Sequence, residues 1–151
     1  MAALTSPNTP PPPGQGIGRV LKRAEQALLR AKSAALKPAG LTLAQYVALE
    51  ELHRQPGITG ASLARASLVT PQAMMVVLKA LEEQGLIARS PHPRHPNVLE
   101  LHITDPGREA LDEGRHRVEP VESRVIGAFS PEERDVLAAL LTRWIEAIEA
   151  D

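Results

Sequence analysis

With 151 residues, three aromatic side chains and a formal net charge of −1, the chain has room for one ordinary domain with a core of Ala, Leu, Val and Ile, which favours packed helices over a large sheet. The lack of cysteine excludes disulfides, thiolate zinc sites and thiol redox sensing, and the near-neutral balance argues against a binder that relies on bulk charge. No run of eighteen apolar residues and no signal-peptide pattern occurs, so the expectation is a cytoplasmic protein with no membrane partner.

Residues 1 to 15 carry five prolines among Ser, Thr, Asn and Gly, a composition predicting a disordered arm ahead of a single domain over residues 16 to 151. G-Q-G-I-G at Gly14 to Gly18 is not a dinucleotide loop, because its third glycine is misplaced and no strand precedes it. A helix from Ile17 to Leu36 follows from apolar residues at Ile17, Val20, Leu21, Ala24, Leu28 and Ala31, and Pro38 with Gly40 ends it. Thr42 with Gln45 forms a capping box for a second helix, which stops at Pro56-Gly57. An extended step at Ile58-Thr59 leads to a short helix over Ala61 to Ala66.

Thr70 is the N-cap of the next helix, Pro71 fills its first position and Gly85 its C-terminal stop. Met74, Val77, Leu78 and Leu81 make its inward stripe, leaving Gln72, Ala73, Val76, Lys79 and Glu83 outward. Leu86 to Arg89 and Val98 to Ile103 read as two strands, so the intervening S-P-H-P-R-H-P-N is the loop of a hairpin. Thr104 caps a helix running to about Ala128, with Leu111, Val118 and Val125 seven apart and Pro120 expected to kink it. Ser130-Pro131-Glu132-Glu133 opens a last helix with Leu137, Leu140, Leu141, Trp144, Ile145 and Ile148 facing inward. The fold class is therefore mainly α with a small β-hairpin wing: a winged helix-turn-helix over residues 41 to 104, flanked by helices at 16 to 38 and 105 to 151.

Four blocks, L-T-L-A-Q-Y-V-A-L-E-E-L, G-A-S-L-A-R-A-S-L-V-T-P-Q-A-M, L-E-E-Q-G-L-I-A-R and L-H-I-T-D-P-G-R-E-A-L, span Leu41 to Leu111. In this order and spacing the chain resembles the MarR-type winged-helix transcriptional regulators. At the wing tip many members carry an acidic residue followed by arginine, where an ungapped reading of this sequence finds His95 and Pro96. The wing resembles instead a subgroup with P-H-P-x-H followed by V-L-E. The resemblance implies a DNA-binding regulator, commonly a repressor that answers to small aromatic or phenolic acids bound between its DNA-binding and dimerisation helices.

If the helix from Pro71 to Gln84 enters a major groove, Gln72 can pair with adenine while the Thr70 hydroxyl and the free N–H groups of the first turn suit a phosphate. Ala73 and Val76 offer only apolar contact, as with thymine methyls, and Lys79 and Arg89 would hold the backbone. Arg94 would enter the minor groove from the wing, with His92 and His95 as secondary contacts. One helix and one wing give limited affinity, so a homodimer reading two half-sites of a pseudo-palindromic operator in double-stranded DNA is expected, joined through the first and last two helices. Arg23, Tyr46 and His53 are the candidate effector contacts.

No catalytic motif, cofactor or metal is expected. A zinc site using His92 and His95 with His102 or His53 is disfavoured because His102 lies at the far end of a strand and the loop has no acidic ligand. The alternatives to a DNA-binding regulator are a winged-helix protein-interaction adaptor and a metal-responsive regulator.

Overall fold

The computed structural model describes residues 16–150; the arm expected over residues 1 to 15 lies outside them. Six helices and one hairpin follow in the order α1 (Ile17–Leu36), α2 (Leu43–Arg54), α3 (Gly60–Ala66), α4 (Pro71–Glu83), β1 (Ile87–His92), β2 (His95–Ile103), α5 (Asp105–Gly127) and α6 (Pro131–Glu149), with a 3-10 turn at Lys37–Ala39 after α1. Local chemistry fixes most helix starts. Thr42, Thr59, Thr70, Thr104 and Ser130 each accept a hydrogen bond from the backbone N–H three residues on, satisfying a donor the helix would otherwise leave bare. The Thr42 and Ser130 capping boxes are complete.

One apolar core joins α2, α3, α4, the hairpin and part of α5. Leu49, Leu52, Leu63, Leu78, Leu81, Leu101 and Leu111 are fully buried in it, each contributing about 1.5–3 kcal/mol of hydrophobic stabilisation. Between α3 and α4 the chain bends by 112°, the angle of a helix-turn-helix. The turn contains Leu68 at φ 54, and its side chain is 93% exposed. A left-handed conformation costs a non-glycine residue about 1–2 kcal/mol, so Leu68 is unfavourable here in both backbone and hydration.

The hairpin is antiparallel, pairing Ile87 with Ile103 through Pro91 with Leu99, and the register then shifts so that His92 pairs with His95. The expected eight-residue loop is corrected to a two-residue turn, Pro93-Arg94. Prolines are compatible with the ladder because each strand of a two-stranded sheet is an edge strand, so a missing N–H need not break a pair. Ile58 extends this sheet from the α2–α3 connection: Gly57 N–H donates to the Leu101 carbonyl at 3.0 Å and Leu101 N–H to the Ile58 carbonyl at 3.1 Å.

At the hairpin's base the Thr104 hydroxyl donates to the Gly85 carbonyl at 2.7 Å and accepts from Gly107 N–H at 3.1 Å. A Cβ on Gly107 would lie 2.0 Å from the Leu86 carbonyl oxygen, so only glycine lets α5 begin this close to the end of α4. Pro120 lies inside α5, which continues as one helix to Gly127.

The stripe on α6 was expected inward; in the single chain it is bare. Leu137, Leu140, Leu141, Ile145 and Ile148 are exposed and only Trp144 is half-buried, because α6 packs extensively against no other described element. Val20, Leu21 and Val125 are exposed for the same reason, as the N-terminal half of α1 and the C-terminal end of α5 extend past the core.

Candidate nucleic-acid interface

Helix α4 presents two apolar faces. Met74, Leu78 and Leu81 go into the core, while Gln72, Ala73, Met75, Val76 and Lys79 are exposed, with Glu83 at the far end. Met75 belongs to the outward set although the sequence reading left it out; its three-residue spacing from Gln72 and four-residue spacing from Lys79 carried the signal. The Thr70 hydroxyl oxygen accepts from Ala73 N–H at 3.2 Å, so that N–H is not open to a phosphate. Thr70's own proton and the Gln72 N–H remain as donors at this end. No Asp or Glu occurs from Leu52 through Leu81, a stretch that includes Arg54, Arg65 and Lys79. Lys79 lies 3.9 Å from Glu83, both highly exposed, a pairing that costs little to break.

Arg89, expected on the DNA backbone, is engaged within the fold. Its Nε and Nη2 donate to the two carboxylate oxygens of Glu82 at 2.7 and 3.0 Å, a bidentate pair that ties β1 to the end of α4.

At the tip, Arg94 and His95 are exposed and His92 is half-buried. Arg94 N–H donates to His92 Nδ1 at 3.1 Å, and the His92 and His95 rings lie 5.1 Å apart. Nδ1 thus serves as the acceptor that closes the turn. His92 Nε2 and His102 Nε2 lie 3.5 Å from opposite oxygens of Glu100. His102 stands near the end of β2 away from the turn, as the sequence indicates, and Glu100 on the same strand lies between it and His92. Among the described residues no group of three or more His, Asp or Glu is arranged to hold a metal ion.

The three effector candidates are spread out. Tyr46 faces α5: its hydroxyl donates to Glu50 at 2.9 Å, and Arg115 donates to both Glu50 oxygens at 2.8 Å. Arg115 holds the Glu50 carboxyl below the usual carboxylate range, while burial and then the Glu50 bond push the Tyr46 phenol well above its ordinary value. A Cβ on Gly114 would come within 2.8 Å of the Tyr46 ring, which is how α5 fits against this side chain. His53 instead borders a shallow hollow of about 250 Å³ with Pro56, His102, Ile103 and Arg108. Arg23 is exposed on the part of α1 outside the core. No sequence signal marked the Glu50–Arg115 pair, because 65 residues separate its members.

A sequence model of the MarR family matches residues 39–95. The HTH-type transcriptional repressor Rv2887 of Mycobacterium tuberculosis is 37% identical over 136 residues, covering 89% of this chain and 94% of the relative. The crystal structure of that MarR family protein in complex with DNA aligns at 32% identity with a TM-score of 0.68, covering 85% of this chain and 97% of the other. Its complex with salicylic acid aligns at 33% identity and the same TM-score, covering 85% and 96%.

Proposed function

The chain belongs to the MarR family, and from that premise we propose that it is a sequence-specific repressor which binds a pseudo-palindromic operator as a homodimer and releases it on binding a small aromatic acid. One observation carries the DNA reading: the face of α4 that the core leaves open starts at a solvent-facing helix N-terminus, carries no carboxylate before Glu82 and is followed by a wing with an exposed Arg94. That combination suits a polyanion with a readable edge. The proposed division of labour gives adenine recognition to Gln72, apolar contact to Ala73 and Val76, phosphate contact to Thr70 and Lys79, and minor-groove entry to Arg94 with His95 beside it. Arg89 and His92 act behind this surface, as the strut to Glu82 and the acceptor in the wing turn. The organisation is one regulator domain over residues 16 to 151, working in the cytoplasm on DNA. Among the described residues no single helix is long and apolar enough to cross a membrane.

The relative's salicylic acid complex supports an aromatic carboxylate as the effector class. Arg23, Tyr46 and His53 remain the proposed contacts; Tyr46 would have to exchange its bond to Glu50 for one to the ligand.

The test is fluorescence anisotropy with duplex from the promoter beside the gene, at rising salt. Binding should weaken linearly on a log–log plot. Arg94→Ala should reduce the slope by about 1 per protomer on all sequences, and Gln72→Ala should cost about 1–3 kcal/mol at one base pair of each half-site. Absence of binding at low salt by folded protein would favour the adaptor instead.

A further inference from the structure

Four large apolar side chains stand in water at one end of the helix-turn-helix: Leu68 at 93% exposure, Val76 at 72%, Met75 at 66% and Val69 at 41%. An outward helix face is ordinarily polar, and the turn would be filled more easily by glycine or asparagine than by leucine at φ 54. Folding gains nothing from this choice, and an outlier of that kind points to the bound state.

The occupant follows from the surroundings. A second copy is not the best fit, because the large bare apolar surface of α1, α5 and α6 belongs to elements against which neither α3 nor α4 packs extensively. The patch also sits in the stretch from Leu52 through Leu81 that has Arg54, Arg65 and Lys79 but no carboxylate, which suits a polyanion. Within a DNA major groove the apolar group displayed on base edges is the thymine 5-methyl. We propose that Leu68, Met75 and Val76 read thymine methyls, so that each operator half-site carries thymines beneath the turn and the first two turns of α4. This rests on the DNA-binding reading above and adds to it the base composition of the site and two residues, Leu68 and Met75, as specificity determinants.

The experiment uses the full chain and the tightest duplex recovered from a random-sequence pool. That duplex is compared with one in which uracil replaces thymine in both half-sites, a change that removes only the methyl groups. Each contacted methyl should be worth about three- to five-fold in affinity, so uracil substitution should weaken binding by at least that factor. In the Met75→Ala/Val76→Ala variant the thymine duplex should bind more weakly while the uracil duplex binds as it does to wild type, closing a double-mutant cycle. Leu68→Asn, which suits the left-handed turn, should lose part of the thymine preference without a lower melting temperature. Equal wild-type affinity for the two duplexes, a recovered site without thymine, or full discrimination by the double variant would overturn the proposal while leaving DNA binding intact. Failure to recover any specific duplex with folded protein would overturn the DNA-binding reading itself, and this inference with it.

Discussion

At the scale of single residues, the Tyr46–Glu50–Arg115 cluster joins the helix-turn-helix to α5 through charge. Glu50 is held ionised by the two Arg115 bonds, so its folded carboxyl titrates lower than in the unfolded chain. A depressed carboxylate contributes stability that is fully present above the unfolded value, about 4.3, and is lost as pH falls through the folded one. Tyr46 has the opposite sign: its raised phenol contributes stability below about pH 10 that disappears as pH rises through the folded value. Glu50→Gln should therefore lower the melting temperature at neutral pH, by about 2–4 °C for a partly exposed pair worth about 1 kcal/mol. The gap from wild type should close in melts recorded below pH 4. A constant gap from pH 7 to pH 3 would rule out the charge as its source. Tyr46 is singled out in the sequence as an effector contact; its bond to Glu50 is an i,i+4 pair within α2, whereas Gly114 and Arg115 are not legible because they depend on how α5 returns across α2.

Among the elements, what could be read from sequence was whatever is encoded within about four residues. The boxes at Thr42 and Ser130, the caps at Thr70 and Thr104 and the buried stripe of α4 are of this kind. The wing was legible as a hairpin but not in extent, since its prolines suppress a strand reading that a two-stranded sheet permits. Its attachment is not legible: Arg89 reads as a cation for the DNA backbone, and its partner Glu82, seven residues earlier across the end of α4, is marked by no local spacing. Glu82→Ala tests whether this pair positions the wing. If it does, amides of β1 should exchange faster and operator affinity should fall by about three- to ten-fold, although the change deletes an acidic residue near DNA. A rise in affinity would mean instead that Arg89, once released, serves better on phosphate than as a strut.

For the whole molecule, the seven-residue stripe of α5 shows where the single chain ends as a self-sufficient unit. Leu111 and Val118 are covered by the chain's own core, whereas Val125, on the same line, is 44% exposed. From there the uncovered surface continues through Phe129 onto α6, where Phe129, Val136, Leu137 and Leu140 line a hollow of about 390 Å³. A helix of nineteen residues with its apolar stripe in water is not stable alone. The proposed homodimer supplies the missing cover and makes α6 and the bare half of α1 part of a shared core. The amphipathic spacing marks a stripe on α6, but spacing cannot say whose core a stripe enters. Placing a charge there by Leu137→Asp with Leu140→Asp should halve the mass measured by light scattering and lower the helix content, while the core around Leu49 and Leu78 still melts cooperatively. Because one protomer then meets only one half-site, operator affinity should drop by about 10²–10⁴-fold even though every proposed DNA-contacting side chain is retained. A variant that stays dimeric, or a monomer that binds the operator at full strength, would place the partner's cover elsewhere and leave the bare face of α6 without a role in DNA recognition.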